Sequence, residues 1–138
     1  FMAGSPAVRL INRSVDRADV LARALGGAVS ACGLADHHAA LQDAGLVINA
    51  TSLGLGGGDG PEIDLTALPA EAVIMDMVYK PLETQFLRLA RARGHRTVDG
   101  LEMPIRQAAP SYEAFFGQPP PEGVDVRRLC LEALEKAA

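Results

Sequence analysis

Short apolar runs alternate along this chain with stretches in which hydrophobic residues recur at helical spacing. The apolar runs predict buried strands at residues 8–11, 27–32, 46–48, 72–77 and 95–98. The helical spacing predicts helices at residues 15–25, 34–42, 85–93, 103–116 and 126–134. Strands that alternate with helices in this way indicate an α/β fold with a parallel sheet covered on both faces.

Capping and breaking residues mark where several of these helices begin and end. Ser14 is a suitable N-cap for the first helix, and Gly26 follows its last apolar residue. Thr84 is expected to cap the helix that begins after it. Pro110 is expected to kink or split the helix at 103–116, because proline lacks the amide hydrogen that a helix interior needs. The last helix is amphipathic, and we expect it to pack on the sheet.

Length and composition restrict the class of protein. The 138 residues are 49% hydrophobic and 22% charged, with a net charge of −4, which predicts one globular domain. This mild acidity gives no reason to expect a nucleic acid or a membrane surface as partner. Cys32 and Cys130 are far apart and form neither a disulfide framework nor a metal-binding pattern. A cytoplasmic location is the resulting expectation.

The junction between the first strand and the first helix carries two arginines. Arg13 follows Asn12 at the strand's carboxyl end, and Arg17 lies one helical turn later, beyond Ser14. A helix N-terminus offers free N–H groups and a partial positive charge, so both guanidinium groups can converge on a phosphate there. In dinucleotide-binding folds, arginine at this point accommodates the 2′-phosphate of NADP. A solvated basic helix start is the alternative that this pattern leaves open.

A second junction, Asn49 to Gly54, follows the third strand. Small polar residues and a glycine at a strand end form a turn that can bring backbone close to a ligand, although an ordinary polar turn has the same composition. The glycine-rich segment beyond it lacks a lysine and contains Asp59, so a P-loop is not expected. His37 and His38 are adjacent and share no ligand face on a helix, so no metal site is expected.

Four segments in order carry a resemblance to one family. They are NRSVDR at 12–17, INATSLG at 48–54, DMVYKPLET at 76–84 and DGLEMPIRQA at 99–108. Together they span most of the chain, which resembles the carboxyl-terminal, NADP-binding domain of shikimate dehydrogenases. The resemblance implies a Rossmann-like, three-layer α/β/α domain over residues 1–138, with a mostly parallel sheet that is incomplete at its amino-terminal end.

The resemblance also implies which residues would contact NADP and substrate. One group would hold the 2′-phosphate, a second would form the turn beside the cofactor, and a third would contact the nicotinamide half. In that order, these residues are Asn12, Arg13, Ser14 and Arg17; Thr51, Ser52 and Leu53; and Met77, Gly100 and Met103. Tyr79 and Gln107 would reach the hydroxyls or carboxylate of shikimate or 3-dehydroshikimate.

The chain also departs from the family pattern. The family's catalytic lysine and aspartate belong to an amino-terminal substrate domain, so no catalytic residue is expected in this chain. No strand with a glycine-rich phosphate loop precedes the arginine motif either. We therefore expect a fragment of a larger enzyme, inactive alone, with exposed strand edges through which it associates, for instance as a homodimer.

The activity implied for the parent enzyme is the reversible reduction of 3-dehydroshikimate to shikimate with NADPH, on the route to chorismate and the aromatic amino acids. Two alternatives stay open at this point. One is a non-catalytic NADP-binding or assembly module with the same fold. The other is a relative that acts on quinate, because most contacts that distinguish the two substrates would be in the absent domain.

Overall fold

The computed structural model describes residues 4–136, and within them the chain alternates between strands and helices. The strands are β1 Val8–Ile11, β2 Val29–Cys32, β3 Leu46–Asn49, β4 Val73–Asp76 and β5 Arg96–Val98. The α-helices are α1 Val15–Leu25, α2 His37–Leu41, α3 Gln85–Ala92, α4 Glu102–Phe116 and α5 Val126–Lys136. The predicted α/β class is therefore confirmed. The first three and last two residues of the predicted domain lie outside the described residues.

Every strand pairing within the described part of the chain is parallel, as the alternation of strands and helices predicts. One sheet has the order β1-β2, and the other has the order β3-β4-β5. Asn49 at the end of β3 is in register with Asp76 at the end of β4. Among the described residues, β1 and β3 each pair along one edge only. Association through such an edge stays a prediction.

The chain forms two compact units. Unit 1 contains residues 4–45 and Glu62–Ala72, whereas unit 2 contains Leu46–Pro61 and residues 73–136. Unit 1 thus includes the β1-β2 sheet, and unit 2 includes the β3-β4-β5 sheet. The single domain expected from the sequence stays a prediction.

Unit 1 is built around the inner face of α1 and a small apolar core. α1 begins after Ser14 and ends at Gly26, which has a positive φ of 65° and donates its N–H to the carbonyl of Ala22. The predicted bounds of this helix are therefore confirmed. The buried apolar residues of unit 1 are Ala18, Ala22, Leu41, Leu65, Leu68 and Ala72.

Unit 2 buries α3 against its three-stranded sheet. Thr84 accepts a hydrogen bond from the Leu87 N–H and caps α3, as predicted. The buried apolar residues of unit 2 are Ile74, Val78, Phe86, Leu87, Ala90 and Leu101. The apolar face of α3 thus packs on β4 and β5 and contributes hydrophobic stabilisation to this sheet.

Two predictions about burial were wrong, and the split expected at Pro110 is not seen. Leu46 and Ile48 of β3 are 55% and 47% exposed, because β3 is an edge strand with one face uncovered. α5 has no buried residue, and it packs chiefly against α4 rather than on a sheet. Pro110 does not split α4, which runs unbroken from Glu102 to Phe116. Within residues 4–136, no helix is both long and apolar enough to cross a membrane.

Candidate functional site

Four strands end in the same local structure, an Asx turn. In each turn an Asn or Asp at the strand's carboxyl end accepts a hydrogen bond from the backbone N–H two residues later. The pairs are Asn12 with Ser14 at 3.1 Å, Asn49 with Thr51 at 3.1 Å, Asp76 with Val78 at 3.0 Å and Asp99 with Leu101 at 3.1 Å. Such a side chain satisfies a backbone donor that the sheet no longer pairs, so it turns the chain sharply as the strand ends. All predicted site residues except Gln107 lie within a few residues of one of these turns.

The first turn presents two free cations, and residues 12–17 are called the arginine junction below. Arg13 and Arg17 are both exposed, and neither makes a hydrogen bond or ion pair with any residue in the described part of the chain. Ser14 occupies the N-cap position of α1, but its side chain makes no capping bond. The helix therefore begins with free N–H groups and a free hydroxyl beside two guanidinium groups, an arrangement that suits a phosphate.

Arg9, another arginine of unit 1, differs from these two because it is bonded within the protein. Arg9 in β1 donates to both carboxylate oxygens of Asp43 and, at 3.1 Å, to the carbonyl of Ala40. The hydrogen bonds from Arg9 lower the pKa of the Asp43 carboxyl below its ordinary value. Arg9 is thus engaged within the protein, whereas the cations of the arginine junction are available to a ligand.

In unit 2, three buried polar side chains form what we call the Asp76 network: Asn49, Asp76 and Thr84. The Asp76 side chain is fully buried. It accepts hydrogen bonds from Asn49 Nδ2 at 2.9 Å, from the Val78 N–H at 3.0 Å and from Thr84 Oγ1 at 2.6 Å. Because buried polar groups are costly unless they are paired, these bonds hold the loops after β3 and β4 in one arrangement.

The turn at residues 51–53 is shaped by this network. Asn49 Oδ1 accepts bonds from the Thr51 N–H and hydroxyl, while Asn49 Nδ2 donates to the Leu53 carbonyl at 3.1 Å. The Thr51 hydroxyl in turn accepts from the Leu53 N–H. The chain then turns at Gly54, whose φ of 94° favours glycine. Thr51 therefore shapes the turn, whereas Ser52 and Leu53 are exposed on it.

Met77 and Gly100 are brought together by a close backbone approach. A Cβ at Gly100 would lie 2.5 Å from the carbonyl oxygens of Met77 and Val78, so only glycine fits there. Met103 is half-buried in the first turn of α4, just beyond this contact. The structure thus places two of the three residues predicted for the nicotinamide half in direct backbone contact.

The two residues predicted to contact substrate have side chains free of internal hydrogen bonds in the described part of the chain. Tyr79 is 45% exposed in the loop after β4, and Gln107 is exposed on α4. Tyr79 also lines an open, mostly apolar cavity of about 300 Å³. The other lining residues are Lys80, Pro81 and Leu82 of the same loop and Leu131, Leu134 and Glu135 of α5.

Sequence reasoning missed the roles of Asn49, Asp76 and Arg127. A polar residue ends each of two successive apolar runs, and this signal was available for Asn49 and Asp76. Arg127 in α5 binds the Asx turn at Asp99 across a separation of 28 residues, with Nη2 at 2.5 Å from Asp99 Oδ2. No local pattern predicts a pair so far apart in the chain.

His37 is a structural residue in unit 1. Its Nδ1 lies 2.5 Å from the Leu34 carbonyl, and its Nε2 accepts from the Asp64 N–H at 3.0 Å. Both ring nitrogens are thus engaged, and the second bond fixes the proton on Nδ1. Within the described residues, no group of three or more His, Cys, Asp or Glu side chains is arranged to hold a metal ion.

Known proteins are similar to this chain in sequence, and solved structures are similar to it in fold. It is 56% identical over 134 residues to the NADP(+) shikimate dehydrogenase of Caulobacter vibrioides, covering 97% of this chain and 47% of that protein. The fold matches the shikimate 5-dehydrogenase of Thermus thermophilus in complex with NADP(H) and shikimate, with a TM-score of 0.73, 33% identity and coverage of 87% of this chain and 43% of that one.

The resemblance to the shikimate dehydrogenase family is confirmed. The fold also matches the quinate dehydrogenase of Corynebacterium glutamicum in complex with NAD, with a TM-score of 0.76, 31% identity and coverage of 87% of this chain and 44% of that one. No family model matches the chain. The chain spans about half the length of the curated shikimate dehydrogenases that it matches, 47% in the case above, and it corresponds to their carboxyl-terminal half.

Proposed function

We propose that this chain is the NADP-binding portion of a shikimate dehydrogenase-like oxidoreductase. The observation that carries the proposal is the arginine junction, where Arg13 and Arg17 are exposed and unpaired within the described residues. A doubly charged 2′-phosphate is a suitable partner for two guanidinium groups at a helix N-terminus. Asn12 and Ser14 would complete this subsite, with the unused Ser14 hydroxyl as a further donor.

The loops of unit 2 would hold the nicotinamide half of the cofactor. Gly100 and Met77 lie at strand ends, where open α/β sheets bind their ligands. Ser52 and Leu53 are exposed on the turn that Thr51 shapes, and the half-buried Met103 offers an apolar contact to a planar ring. The residues of unit 2, taken by themselves, therefore fit a nicotinamide ring. When bound, NADP supplies the hydride that the reaction transfers.

The substrate would be met by the side chains of Tyr79 and Gln107. Neither side chain makes a hydrogen bond with any residue in the described ranges, so the polar groups of both are available to a ligand. By similarity to the relatives, the substrate pair is shikimate and 3-dehydroshikimate. We assign no catalytic residue to this chain, and the proton transfer would require groups outside it.

Titration calorimetry with NADP, NAD and 2′-AMP tests the cofactor assignment. The protein expressed from its complete reading frame should bind NADP and 2′-AMP. The double variant Arg13→Ala with Arg17→Ala should weaken NADP binding about 100-fold and NAD binding by no more than about threefold, because only NADP has the 2′-phosphate. Arg23→Ala is a matched control, since Arg23 is exposed in the last turn of α1 and makes no ion pair with any residue between 4 and 136.

Equal losses for NADP and NAD in the double variant would contradict the 2′-phosphate assignment. A wild-type protein that binds none of the three compounds would contradict cofactor binding altogether and favour the assembly module. A weaker NADP affinity in Arg23→Ala would mean that general charge, not the junction, attracts the cofactor.

A quinate dehydrogenase is the second candidate function, favoured by the structural match to the Corynebacterium glutamicum enzyme. That enzyme was solved with NAD, whereas this chain has an arginine junction at the expected 2′-phosphate position. Oxidation rates of shikimate and quinate, measured with NADP and with NAD on the protein expressed from its complete reading frame, distinguish the two. We expect shikimate with NADP to be preferred.

A further inference from the structure

Arg127 is the arginine in α5 that joins this helix to the start of α4. Its guanidinium group binds both carboxylate oxygens of Asp99, at 2.5 and 3.2 Å, and also Glu102 Oε1 at 2.9 Å. The three side chains are partly shielded, with exposures of 36% for Arg127, 15% for Asp99 and 33% for Glu102. Bidentate pairs of this kind are the most directional ion pairs in proteins.

The position of Arg127 affects Met77 and Gly100, the two residues of the candidate nicotinamide wall. Asp99 Oδ1 also accepts from the Leu101 N–H, so the same carboxylate that Arg127 holds shapes the turn through Gly100. Gly100 in turn lies against the carbonyl oxygens of Met77 and Val78, with no room for a Cβ. A shift of the Asp99 turn would therefore move Gly100 relative to Met77.

We infer that Arg127 is a positioning residue that sets the nicotinamide wall formed by Met77 and Gly100. This inference rests on the proposed function, in which that wall contacts the nicotinamide half of NADP. Arg127 acts through Asp99 and does not itself touch the cofactor. Removing it frees a charged carboxylate and loosens the turn, so the loss should fall on contacts to the nicotinamide half alone.

The test compares NADP with 2′-AMP, which lacks the nicotinamide half. In protein from the complete reading frame, Arg127→Gln should weaken NADP binding about tenfold and change 2′-AMP binding by less than about twofold. Arg127→Lys keeps the positive charge but cannot form the bidentate ion pair with Asp99, so its affinity for NADP should fall about threefold. A purely structural role would not change the ratio of the two affinities.

Arg128→Gln is the matched control. Arg128 is the next residue in α5, and its ion pair is with Glu132 in the same helix at 2.6 Å. Arg128→Gln also removes one positive charge, but at a residue whose ion pair is not with the Asp99 turn. The affinities for NADP and for 2′-AMP should therefore stay within about twofold of wild type. Asp99→Asn provides a second route if Arg127→Gln is poorly folded, because asparagine keeps an acceptor for the Leu101 N–H but replaces the second carboxylate oxygen, which accepts from Arg127 Nη2, with a donor.

The outcomes separate this inference from the function on which it rests. Unchanged NADP affinity in Arg127→Gln, or an equal loss for NADP and 2′-AMP, overturns the positioning role and leaves the arginine junction intact. Wild-type protein that binds 2′-AMP as tightly as NADP also overturns it, because no nicotinamide contact then exists. Absence of any binding to the wild type refutes the proposed function and this inference with it.

Discussion

The arginine junction and the Asp76 network both lie at strand ends, but the charged side chains of the junction are exposed and the polar side chains of the network are buried. Arg13 and Arg17 are exposed and unpaired within the described residues, whereas Asp76 is buried and accepts three hydrogen bonds. Burial and internal pairing identify side chains that shape loops, while exposure without pairing identifies those that can meet a ligand. The two regions should therefore respond oppositely to substitution, one in stability and the other in affinity.

The largest effect on stability is expected from Asp76→Ala. This change leaves the Val78 N–H and the Thr84 hydroxyl buried without an acceptor, and we expect a loss of about 4 kcal/mol in the free energy of unfolding. Urea denaturation followed by circular dichroism measures it. Asp59→Ala is the control in the same unit, since Asp59 is exposed, and it should stay within about 0.5 kcal/mol of wild type. A loss below about 1 kcal/mol in Asp76→Ala would show that the network is not structural.

A smaller effect is expected from Thr84→Val, which preserves the shape of the side chain. Thr84 both donates to Asp76 Oδ2 and caps α3 through the Leu87 N–H, so loss of the hydroxyl should cost about 2 kcal/mol. Thr84→Ser keeps the hydroxyl and should cost less than about 1 kcal/mol. The same denaturation experiment compares the two. A larger loss in Thr84→Ser than in Thr84→Val would assign the effect to packing of the methyl group instead.

The smallest effect on stability is expected at the arginine junction, where the effect on NADP affinity is largest. The double variant Arg13→Ala with Arg17→Ala removes two unpaired cations and should change the free energy of unfolding by less than about 0.5 kcal/mol. Urea denaturation without cofactor tests this. A loss above about 1.5 kcal/mol would mean that the arginines hold the junction together, and the contrast between the two regions would disappear.

Elements defined by local pattern were predicted well from the sequence. α1 begins and ends where Ser14 and Gly26 indicate, and Thr84 caps α3 as its position implies. These features depend on neighbours within a few residues, which the sequence displays directly. The parallel pairing of all strands also followed from the alternation of strands and helices.

Features that depend on distant partners were not predictable in the same way. Leu46 and Ile48 form an apolar run, but their exposure depends on what covers that face of β3. The link between Arg127 and Asp99 joins residues 28 apart and needs α5 to be placed before it can be seen. The bond between Asn49 and Asp76 needs the register of β3 and β4. Tertiary placement, not local propensity, decides these contacts.

The Asx turns have a consequence for recombining this fold with its relatives. Because the side-chain acceptor and the backbone donor of each turn lie within three residues, a cut just beyond the turn leaves that hydrogen bond within one parental segment. Crossover points in a chimeric library should therefore lie just after Ser14, Thr51, Val78 and Leu101, the donors of the four turns. Libraries cut there would exchange loops, and with them ligand preference, while the strand ends stay in place.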